Sequence, residues 1–420
     1  MSDQTSTAVA ERLPLTATRF VSIFGIGVVG FMVANLIPLM LVAMTSELGM
    51  TVSTAGAVMT GSMLATAITS MLTARYAALS GRHLIGRAGL VLMIVGFGLA
   101  AIVPSAAVAV VGIIVGGIGG GGAVSSSGAA IAAIRDPNRV NGWASLTNRI
   151  VVTVVLAIIP LLGGGMLTAF GSVALLALFF LFCVGWLPSA PIKAVAVESE
   201  ISAKAPRPGN RRVTIAGFVL LVSFALWGVG EDSIWAMAGA MGNAQAGTTD
   251  ADLGFILSAS TAGGVIALIP LTWVGKRLGR ALPLGILLVL GGSMKILASF
   301  TTDQTVYMAA IIAWNTIYVA AFTYIAATAA ALDAQGRWSG PLNGVYLFGS
   351  AFAPVVGALV ADTFGFHTFG IIFACFSFVL CFPLVFVARM SWNIEKREAA
   401  LTAQSPSSAS SPDSATTPVA

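Results

Sequence analysis

Long apolar segments separated by short polar breaks follow one another along most of the chain. The breaks delimit twelve apolar segments, near residues 20–43, 54–74, 85–103, 107–134, 143–168, 171–190, 213–241, 253–275, 282–300, 305–331, 342–361 and 366–388. A helix needs about 20 apolar residues to cross a bilayer, whereas the strands of a membrane barrel would appear as short alternating stretches. The pattern therefore predicts an all-α membrane protein with twelve transmembrane helices.

The polar breaks also predict how the chain is divided. Residues 1–19 are polar and contain no apolar core, so they are predicted to be a tail and not a cleavable signal peptide. The longest internal break, residues 191–212, is charged and contains proline, and it separates a bundle over 20–190 from a bundle over 213–389. Residues 390–420 are predicted to be a C-terminal tail that is largely disordered, because its end is rich in Ser, Ala and Pro.

The basic residues concentrate on one side of the predicted helices. Arg149 and Lys295 fall well inside apolar segments. Every other lysine and arginine lies in a break, or in the case of Arg87 at the edge of one, on the same side as both termini. Because the cytoplasmic loops of membrane proteins are enriched in Lys and Arg, we expect both termini in the cytoplasm. The chain is predicted to be a multi-pass protein of the plasma membrane, such as a bacterial inner membrane.

The composition agrees with a membrane location and excludes several other classes of protein. Only 9% of the residues are charged, 57% are hydrophobic, and the mean hydropathy is +0.95, whereas a soluble protein carries about 25% charged residues. The net charge of +5 comes from basic residues scattered over short loops, so no nucleic-acid partner is predicted. The histidines and cysteines show no ligand spacing, so we predict no metal site and no cofactor.

Matching landmarks occur in the two halves of the chain at a nearly constant offset. Gly81 and Arg82 are followed 198 residues later by Gly279 and Arg280. The further pairs are Asp136 with Asp333, Arg139 with Arg337, and Pro160 with Pro354, at offsets of 197, 198 and 194. Basic loops alone would explain the charges but not the spacing, so we infer an internal duplication into two six-helix repeats. Parallel repeats of this kind are one of the known transporter architectures.

The loop between the second and third segments resembles a signature of the major facilitator superfamily. The family pattern is G-x-x-x-D-R-x-G-R-R, of which this chain keeps Gly81 and Arg82 but neither the aspartate nor the arginine before them. The second repeat again lacks the acid. The fifth segment contains Pro160-x-x-Gly163-Gly164, which matches part of the family's antiporter motif. Over about residues 18–390, the chain is identified as a member of this superfamily.

The resemblance implies two bundles packed around a central cavity that opens alternately to either side of the membrane. Two further groups of residues are predicted from the loops and from the proline and glycine motifs. The residues in gating loops are Gly81, Arg82, Arg139, Gly279, Arg280 and Arg337. The residues of helix-kink motifs are Pro38, Pro160, Gly163, Gly164, Pro354 and Gly357.

Two adjacent carboxylates, Glu231 and Asp232, lie inside the seventh apolar segment. An ionisable group within a membrane span is costly and is therefore a functional candidate. Trp227 and Trp235 lie four residues before and after Glu231, on the same helical stripe. A carboxylate in this setting can exchange a proton or bind a cationic group against aromatic faces. The alternative is that the helix ends near Gly230 and both acids are solvated at the outer mouth.

The two basic residues inside spans receive different predictions. Arg149, in the fifth segment, can bind a substrate carboxylate or pair with an acid, or it can extend to the cytoplasmic surface. Lys295 lies in the ninth segment, which is a supporting helix in the resembled fold, so its ammonium group is expected to reach outward. Asn35 corresponds to Asp232 in the repeat, and it either faces the cavity or bonds within its own helix.

These features together predict the function and the lining of the cavity. The candidate residues of the lining are Asn35, Ser126, Ser127, Arg149, Trp227, Trp235, Trp314, Asn315, Tyr318, Tyr324 and Tyr346, with Glu231 and Asp232 as the coupling acids. The predicted function is secondary active transport of a small organic solute, coupled to protons, by a monomer in a lipid bilayer. The alternatives are a passive facilitator and a membrane-embedded enzyme; HExxH and GxSxG motifs are absent.

Overall fold

The computed structural model describes a helical protein over residues 13–135, 137–189, 211–332, 337–339 and 341–404. The helices are α1 (Ala17–Leu48), α2 (Val52–Tyr76), α3 (Arg82–Ile102), α4 (Ala106–Ala132), α5 (Pro137–Leu161), α6 (Met166–Cys183), α7 (Arg211–Ala246), α8 (Asp250–Leu278), α9 (Ala281–Phe300), α10 (Gln304–Leu332), α11 (Leu342–Ser350) and α12 (Ala353–Gln404). A π-helical turn, Ala77–Gly81, joins α2 to α3. Within the described chain the only β-type contact is an isolated bridge between Leu13 and Ile134.

Short polar residues define where several helices begin and end. The side chains of Thr16 and Thr51 accept hydrogen bonds from the first turns of α1 and α2. Thr249 and Asp252 form a reciprocal capping box at the start of α8. At Gly49 the backbone takes a φ of 61°, which ends α1 in the left-handed region that glycine tolerates.

The number of membrane crossings agrees broadly with the hydrophobic pattern. Among the described residues, ten helical stretches are long and apolar enough to span a bilayer. The last of them, Leu342–Lys396, is interrupted at Gly365, where φ is 74° and ψ is 167°. The 29-residue α8 is not among the ten. Counting α8 and dividing the last stretch at Gly365 would give twelve crossings, and this exact number stays a prediction.

The predicted domain boundaries fall partly on the described residues. Helix α7 begins at Arg211, so only the last two residues of the predicted linker 191–212 are described. Helix α12 continues to Gln404, which extends well past the predicted start of the tail at 390. Residues 1–12 and 405–420, which include most of both predicted tails, lie outside the described residues.

Each half of the chain packs mainly on itself. In the first half α4 lies against α1, α2 and α3, and α6 covers α3 and α1. In the second half α12 lies against α7 and α9, and α10 lies against α8 and α9. The halves meet where α1 contacts α7, where α2 contacts α12, and where α5 contacts α8. The functional site lies between these two packed units.

The glycine run of α4 allows unusually close helix contact. A Cβ at Gly119 or Gly89 would overlap with the backbone of the opposite helix, so α3 and α4 approach to backbone distance. On the other side of α4, Gly117 and Gly121 lie against the backbone of α2. Small residues at helix interfaces in membranes permit this kind of packing. The run therefore holds α4 between α2 and α3.

The two sides of the bundle differ in how the halves are joined. We call the side where α1 starts the N-terminal face and the side where α1 ends the far face. Toward the far face, Ser53 bonds Asp362, and the backbone N–H of Val355 donates to Thr60 Oγ1 at 3.1 Å. Gly254 packs against Pro160 on the same side. These contacts join the halves and close the far side of the bundle.

The proline and glycine motifs have distinct positions. Pro38 lies inside α1, as predicted for a kink. Pro160 is followed by the end of α5, where Gly163 and Gly164 take φ values of 116° and 66°. Pro354 lies in the first turn of α12, where a missing N–H costs no helical bond. The predicted eleventh segment is thus interrupted between Ser350 and Ala353, directly before Pro354, and Pro160 lies inside α5 one residue before its end. A kink at Pro160 and Pro354 stays a prediction.

Gly357 serves the packing of α12. A Cβ at this position would lie 3.1 Å from Ser233 Cβ and 3.2 Å from Ser233 O on α7.

The outer surface of the bundle carries large apolar side chains. They include Met71, Leu72, Phe182 and Phe382, which are 78%, 77%, 77% and 79% exposed. Large exposed apolar surfaces mark contact with a partner or with a membrane, and on helices long and apolar enough to cross a bilayer they fit contact with lipid. The bundle is thus a membrane protein by its surface as well as by its helices.

Candidate functional site

A cavity of about 580 Å³ lies between the two halves. Its wall includes residues of α1, α4 and α5 from the first half, and of α7, α8, α10 and α11 from the second. Phe24 near the start of α1 and Asn343 near the start of α11 belong to the wall. Because these positions approach the N-terminal face and the far face is closed, the cavity is directed toward the N-terminal face.

Most of the residues predicted for the cavity lie in its wall. They are Asn35, Ser127, Arg149, Asp232, Trp235, Trp314, Asn315, Tyr318 and Tyr346. They come from both halves, so they are brought together only when the two bundles pack. The wall also contains groups that sequence reasoning missed, which include Asn148, Phe322 and Ser350.

Four of the predicted residues lie outside the described cavity wall, namely Ser126, Trp227, Tyr324 and Glu231. Ser126 bonds the carbonyl of Ala123 and lies beside Gly86 of α3, so it faces away from the cavity. Trp227 is 1% exposed and stacks on Tyr318 behind the wall. Tyr324 is 5% exposed among apolar side chains of the second half. Consecutive side chains of a helix point in directions about 100° apart around its axis, so adjacent residues such as Ser126 and Ser127 face different surroundings.

The seventh span does not end before its two acids. Helix α7 runs through Glu231 and continues to Ala246. Glu231 is 4% exposed. The alternative that both acids are solvated at the outer mouth is therefore wrong. The consecutive carboxylates instead point in different directions, because one residue along a helix turns the side chain by about 100°.

Glu231 forms a buried ion pair with Lys295. Lys295 Nζ lies 2.7 Å from Glu231 Oε1 and 2.6 Å from Ser377 Oγ. Trp314 Nε1 donates to Glu231 Oε2 at 2.7 Å, and Ser377 Oγ lies 3.3 Å from Glu231 Oε1. Each carboxylate oxygen thus has a donor, which offsets part of the large cost of removing two charges from water.

The prediction that Lys295 reaches outward was wrong. Its side chain is 1% exposed and points from α9 into the second half. An ammonium group extends to the membrane surface when no closer partner is present, but here Glu231 on α7 and Ser377 on α12 meet it inside the bundle. The pair therefore ties α9, a helix outside the cavity wall, to α7.

Asp232 has a different environment from Glu231. It lies in the cavity wall, where Tyr346 O–H donates to Asp232 Oδ2 at 2.8 Å and Ser350 bonds the same oxygen. Tyr318 O–H lies 2.5 Å from Tyr346 O–H. Since the Tyr346 proton goes to Asp232, Tyr318 donates to Tyr346. Among the described residues, no cation pairs with Asp232.

The opposite wall carries a basic residue. Arg149 lies in the cavity wall on α5, and its Nη1 would contact a Cβ at Gly264 of α8 at 3.2 Å. Its guanidinium group makes no hydrogen bond or ion pair with the described residues. Asn35 Nδ2 donates to Phe31 O at 2.9 Å while lining the cavity, so both predictions for this residue apply. Arg149 and Asp232 are the two charged residues of the described wall.

The predicted gating residues make contacts within their own halves. Arg82 donates to the carbonyl of Pro188 at 3.0 Å, and Gly81 packs beside Tyr76. Arg280 pairs with Glu395 at 2.7 Å beside Gly279, where φ is 71°. These described contacts join loops to neighbouring helices and do not cross the cavity.

The remaining gating candidates are described only in part. Arg337 lies over the ring of Trp338, with 5.3 Å from its Cζ to the ring centroid. Arg139 lies in the first turn of α5, and its side chain is outside the described residues. The structure therefore places these residues near the N-terminal face.

The sequence gives little signal for the site residues that were not predicted from it. Ser377 lies in the run "CFSFVL" and Ser350 in "FGSAF", and a single serine in an apolar span is too common to stand out. Asn148 adjoins Arg149, and this polar pair was the one available signal. Among the described residues, no group of three His, Cys, Asp or Glu side chains is placed to hold a metal ion.

Comparison with known proteins agrees with this architecture. The family model for the Major Facilitator Superfamily matches residues 22–332. No curated protein matches the sequence. A solved peptide transporter POT in complex with sulfate is similar in structure, with a TM-score of 0.72, 13% identity, and coverage of 92% of this chain and 98% of that chain.

Two further solved structures are similar to this chain. A D-xylose-proton symporter has a TM-score of 0.69 and 13% identity, covering 87% of this chain and 96% of its own. The human organic anion transporter MFSD10 (TETRAN) has a TM-score of 0.64 and 14% identity, covering 88% of this chain and 100% of its own. At this identity the structures show a shared fold. Since the family model matches most of the chain, the protein belongs to the major facilitator superfamily and is a membrane transporter rather than an enzyme.

Proposed function

We propose that this protein is a secondary active transporter that couples movement of a small organic solute to protons. The observation that supports this most is the position of Asp232, a carboxylate in the wall of a cavity between two helical bundles. A carboxylate that faces a cavity and lacks a paired cation can bind and release a proton as the cavity changes sides. The twofold architecture supports alternating access around this fixed site.

The two neighbouring acids are assigned different roles. Glu231 is held by Lys295, Ser377 and Trp314, so we assign it to positioning. Trp314 also lines the cavity, and it therefore connects the buried pair with the transport site. Asp232 receives hydrogen bonds from hydroxyl groups, which can also reorient around a protonated carboxyl group. We assign proton coupling to Asp232.

The orientation is part of the proposal. The basic loops support an orientation with the N-terminal face in the cytoplasm of a plasma membrane, such as a bacterial inner membrane. The cavity described above would then be directed toward the cytoplasm. We propose that a monomer is sufficient for transport, because the cavity is formed by the two halves of one chain.

A transport assay with purified protein in lipid vesicles tests this function. Organic acids, aromatic compounds, sugars and drugs are first screened by thermal shift to find a solute that binds. We expect a pH gradient to drive accumulation of that solute, and a proton ionophore to abolish the accumulation. A passive facilitator would equilibrate the solute at the same rate and to the same level with or without the gradient.

A larger side chain at Gly56, which we call the wedge, is expected to oppose closure of the far face. A Cβ at Gly56 would lie 2.6 Å from the carbonyl oxygen of Pro354 and 2.7 Å from Ala358 Cβ. Gly56→Val should therefore hold α2 and α12 apart and favour access from the far face. The measurement is labelling of Asn35→Cys, in a background without native cysteines, by an impermeant thiol reagent added on that side.

A second glycine serves as the control for this wedge. A Cβ at Gly98 in α3 would have no neighbouring atom within 4 Å, so Gly98→Val makes the same helical substitution without a clash. We expect faster labelling of Asn35→Cys in Gly56→Val and unchanged labelling in Gly98→Val. Equal labelling in both variants would show that contact at Gly56 does not control access.

A further inference from the structure

We propose that the cavity binds an aromatic carboxylate, with its anionic group at Arg149, and takes up one proton at Asp232 together with it. This inference rests on the proposed function and adds the class of solute and the reason for coupling. It is drawn from three features of the wall, which are an unpaired guanidinium group, a set of aromatic rings and a single carboxylate.

The first feature is the guanidinium group of Arg149. It lines the cavity from α5 and has no hydrogen-bonding or ion-pair partner among the described residues. A guanidinium group in a membrane span is costly without a partner. A carboxylate matches the planar guanidinium group with two parallel hydrogen bonds. The unused donors of Arg149 therefore fit an anionic group on the solute.

The second feature is the aromatic side of the cavity. Trp314, Tyr318 and Phe322 follow one face of α10, and Tyr346 on α11 and Trp235 on α7 extend it. Ring centroids of Trp314 and Tyr318 are 6.2 Å apart, and those of Phe322 and Tyr346 are 5.2 Å apart. Rings spaced in this way offer stacking and edge contacts to a further ring. A solute with an aromatic body would occupy this surface.

Tyr318 connects the aromatic surface with both charged groups. Its hydroxyl group bonds Tyr346, which in turn bonds Asp232. The next residue of α10, Val319, and Arg149 Nη1 both lie against Gly264 of α8. An aromatic ring over Tyr318 is therefore placed beside the guanidinium group on one side and near the carboxylate on the other. One small solute can thus influence both charges.

The third feature is the charge balance of the wall. Arg149 and Asp232 sum to zero in the described lining, while the nearby charges of Glu231 and Lys295 neutralise one another. The other titratable groups near Asp232 are the phenols of Tyr318 and Tyr346. Binding one carboxylate would leave a net negative charge in a site of low dielectric, which is unfavourable. Protonation of Asp232 restores neutrality, so anion and proton are bound together.

The cavity has room for such a solute. Its volume of about 580 Å³ falls in the range of roughly 300–1,000 Å³ found for sites of drug-sized ligands. Benzoate is therefore a minimal probe that contains the two required parts, a ring and a carboxylate. Benzamide has the ring but no charge, benzylamine has the ring with a positive charge, and acetate has the carboxylate but no ring.

Thermal unfolding of the purified full chain tests the inference with these four probes. We expect benzoate to raise the unfolding midpoint, and to do so more at a mildly acidic than at a mildly alkaline pH. Benzamide, benzylamine and acetate should leave the midpoint close to that of the free protein. A shift with benzylamine or benzamide as large as that with benzoate would overturn the assignment of an anion, as would the absence of a shift with benzoate. An equal shift with acetate would overturn the aromatic requirement.

Variants locate the binding within the cavity. Arg149→Gln should weaken benzoate binding by roughly 10- to 100-fold, whereas Arg149→Lys, which keeps the charge, should retain part of the affinity. Arg75→Gln removes an exposed arginine and should bind benzoate like the wild type. In Asp232→Asn the benzoate shift should be the same at both pH values. Wild-type affinity in Arg149→Gln, or a persisting pH effect in Asp232→Asn, would contradict the inference.

This inference and the proposed function can fail separately. If another class of solute is accumulated by the pH gradient and benzoate does not bind, the solute assignment is wrong and proton coupling stands. If benzoate binds through Arg149 but no solute is accumulated by the gradient, proton coupling is wrong and the anion site stands.

Discussion

Replacing Lys295 with methionine is expected to destabilise the folded protein by about 3–5 kcal/mol. The substitution keeps most of the apolar stem but removes the ammonium group that faces Glu231 Oε1 at 2.7 Å. Glu231 would then remain as a negative charge at a site that is 4% exposed, with only Ser377 and Trp314 as donors. The measurement is the midpoint of thermal unfolding of the purified protein in detergent.

The second variant of this series removes both charges. In Glu231→Gln with Lys295→Met, the amide oxygen can still accept from Trp314, and no unpaired charge is buried. The double variant should therefore recover most of the stability lost in Lys295→Met, since replacing a complete buried pair is often nearly neutral. The double-mutant cycle measures the coupling between the two residues directly.

A matched control lies on the same helix. Ser293→Ala, two residues before Lys295, removes an exposed hydroxyl group that bonds only within α9. A surface change of this kind should alter stability by less than about 0.5 kcal/mol. If Lys295→Met unfolds at the same temperature as Ser293→Ala, the buried pair does not contribute to stability as proposed.

Asp232→Asn is expected to abolish accumulation driven by a pH gradient while leaving exchange of solute intact. For one coupled proton, a pH difference of about one unit supplies about 1.36 kcal/mol and supports a concentration ratio of about tenfold. Asparagine keeps an acceptor for Tyr346 but cannot bind and release a proton. The ratio should fall from about ten to about one in vesicles loaded with a solute from the thermal-shift screen.

Counterflow separates loss of coupling from loss of transport. Asp232→Asn should still exchange labelled for unlabelled solute, because exchange needs binding and alternating access but no net proton movement. Asp303→Asn is the control, since it removes an exposed acid that caps α10 and asparagine caps equally well. Persistent accumulation in Asp232→Asn would exclude this residue as the coupling group.

These two experiments also distinguish the neighbouring acids. The sequence places Glu231 and Asp232 side by side and predicts a coupling role for both. The structure pairs Glu231 with Lys295 and leaves Asp232 in the cavity wall. Substitution of Glu231 therefore affects stability first, whereas the clearer test of coupling is made at Asp232.

Much of the fold could be predicted from the sequence, because the bilayer imposes a simple length and hydropathy on each helix. The apolar segments correspond to long helices, and the family resemblance from the Gly-Arg loops and the Pro-Gly motif is confirmed by the match over residues 22–332. The sequence also singles out the four ionisable residues within spans, since charges there are rare and visible. Of these, three were predicted to serve the site.

The arrangement of those residues depended on tertiary structure. Lys295, Ser377 and Glu231 lie 64 to 146 residues apart and meet only because α9 and α12 pack against α7. A membrane helix is apolar on all sides, so it lacks the amphipathic stripe that would show which face turns inward. A rotation of about 100° separates consecutive side chains, and this is why Asp232 lies in the cavity while Glu231 is buried beside Lys295. The sequence by itself determined the helices and the family, and helix packing decided which charges are paired and which face the solute.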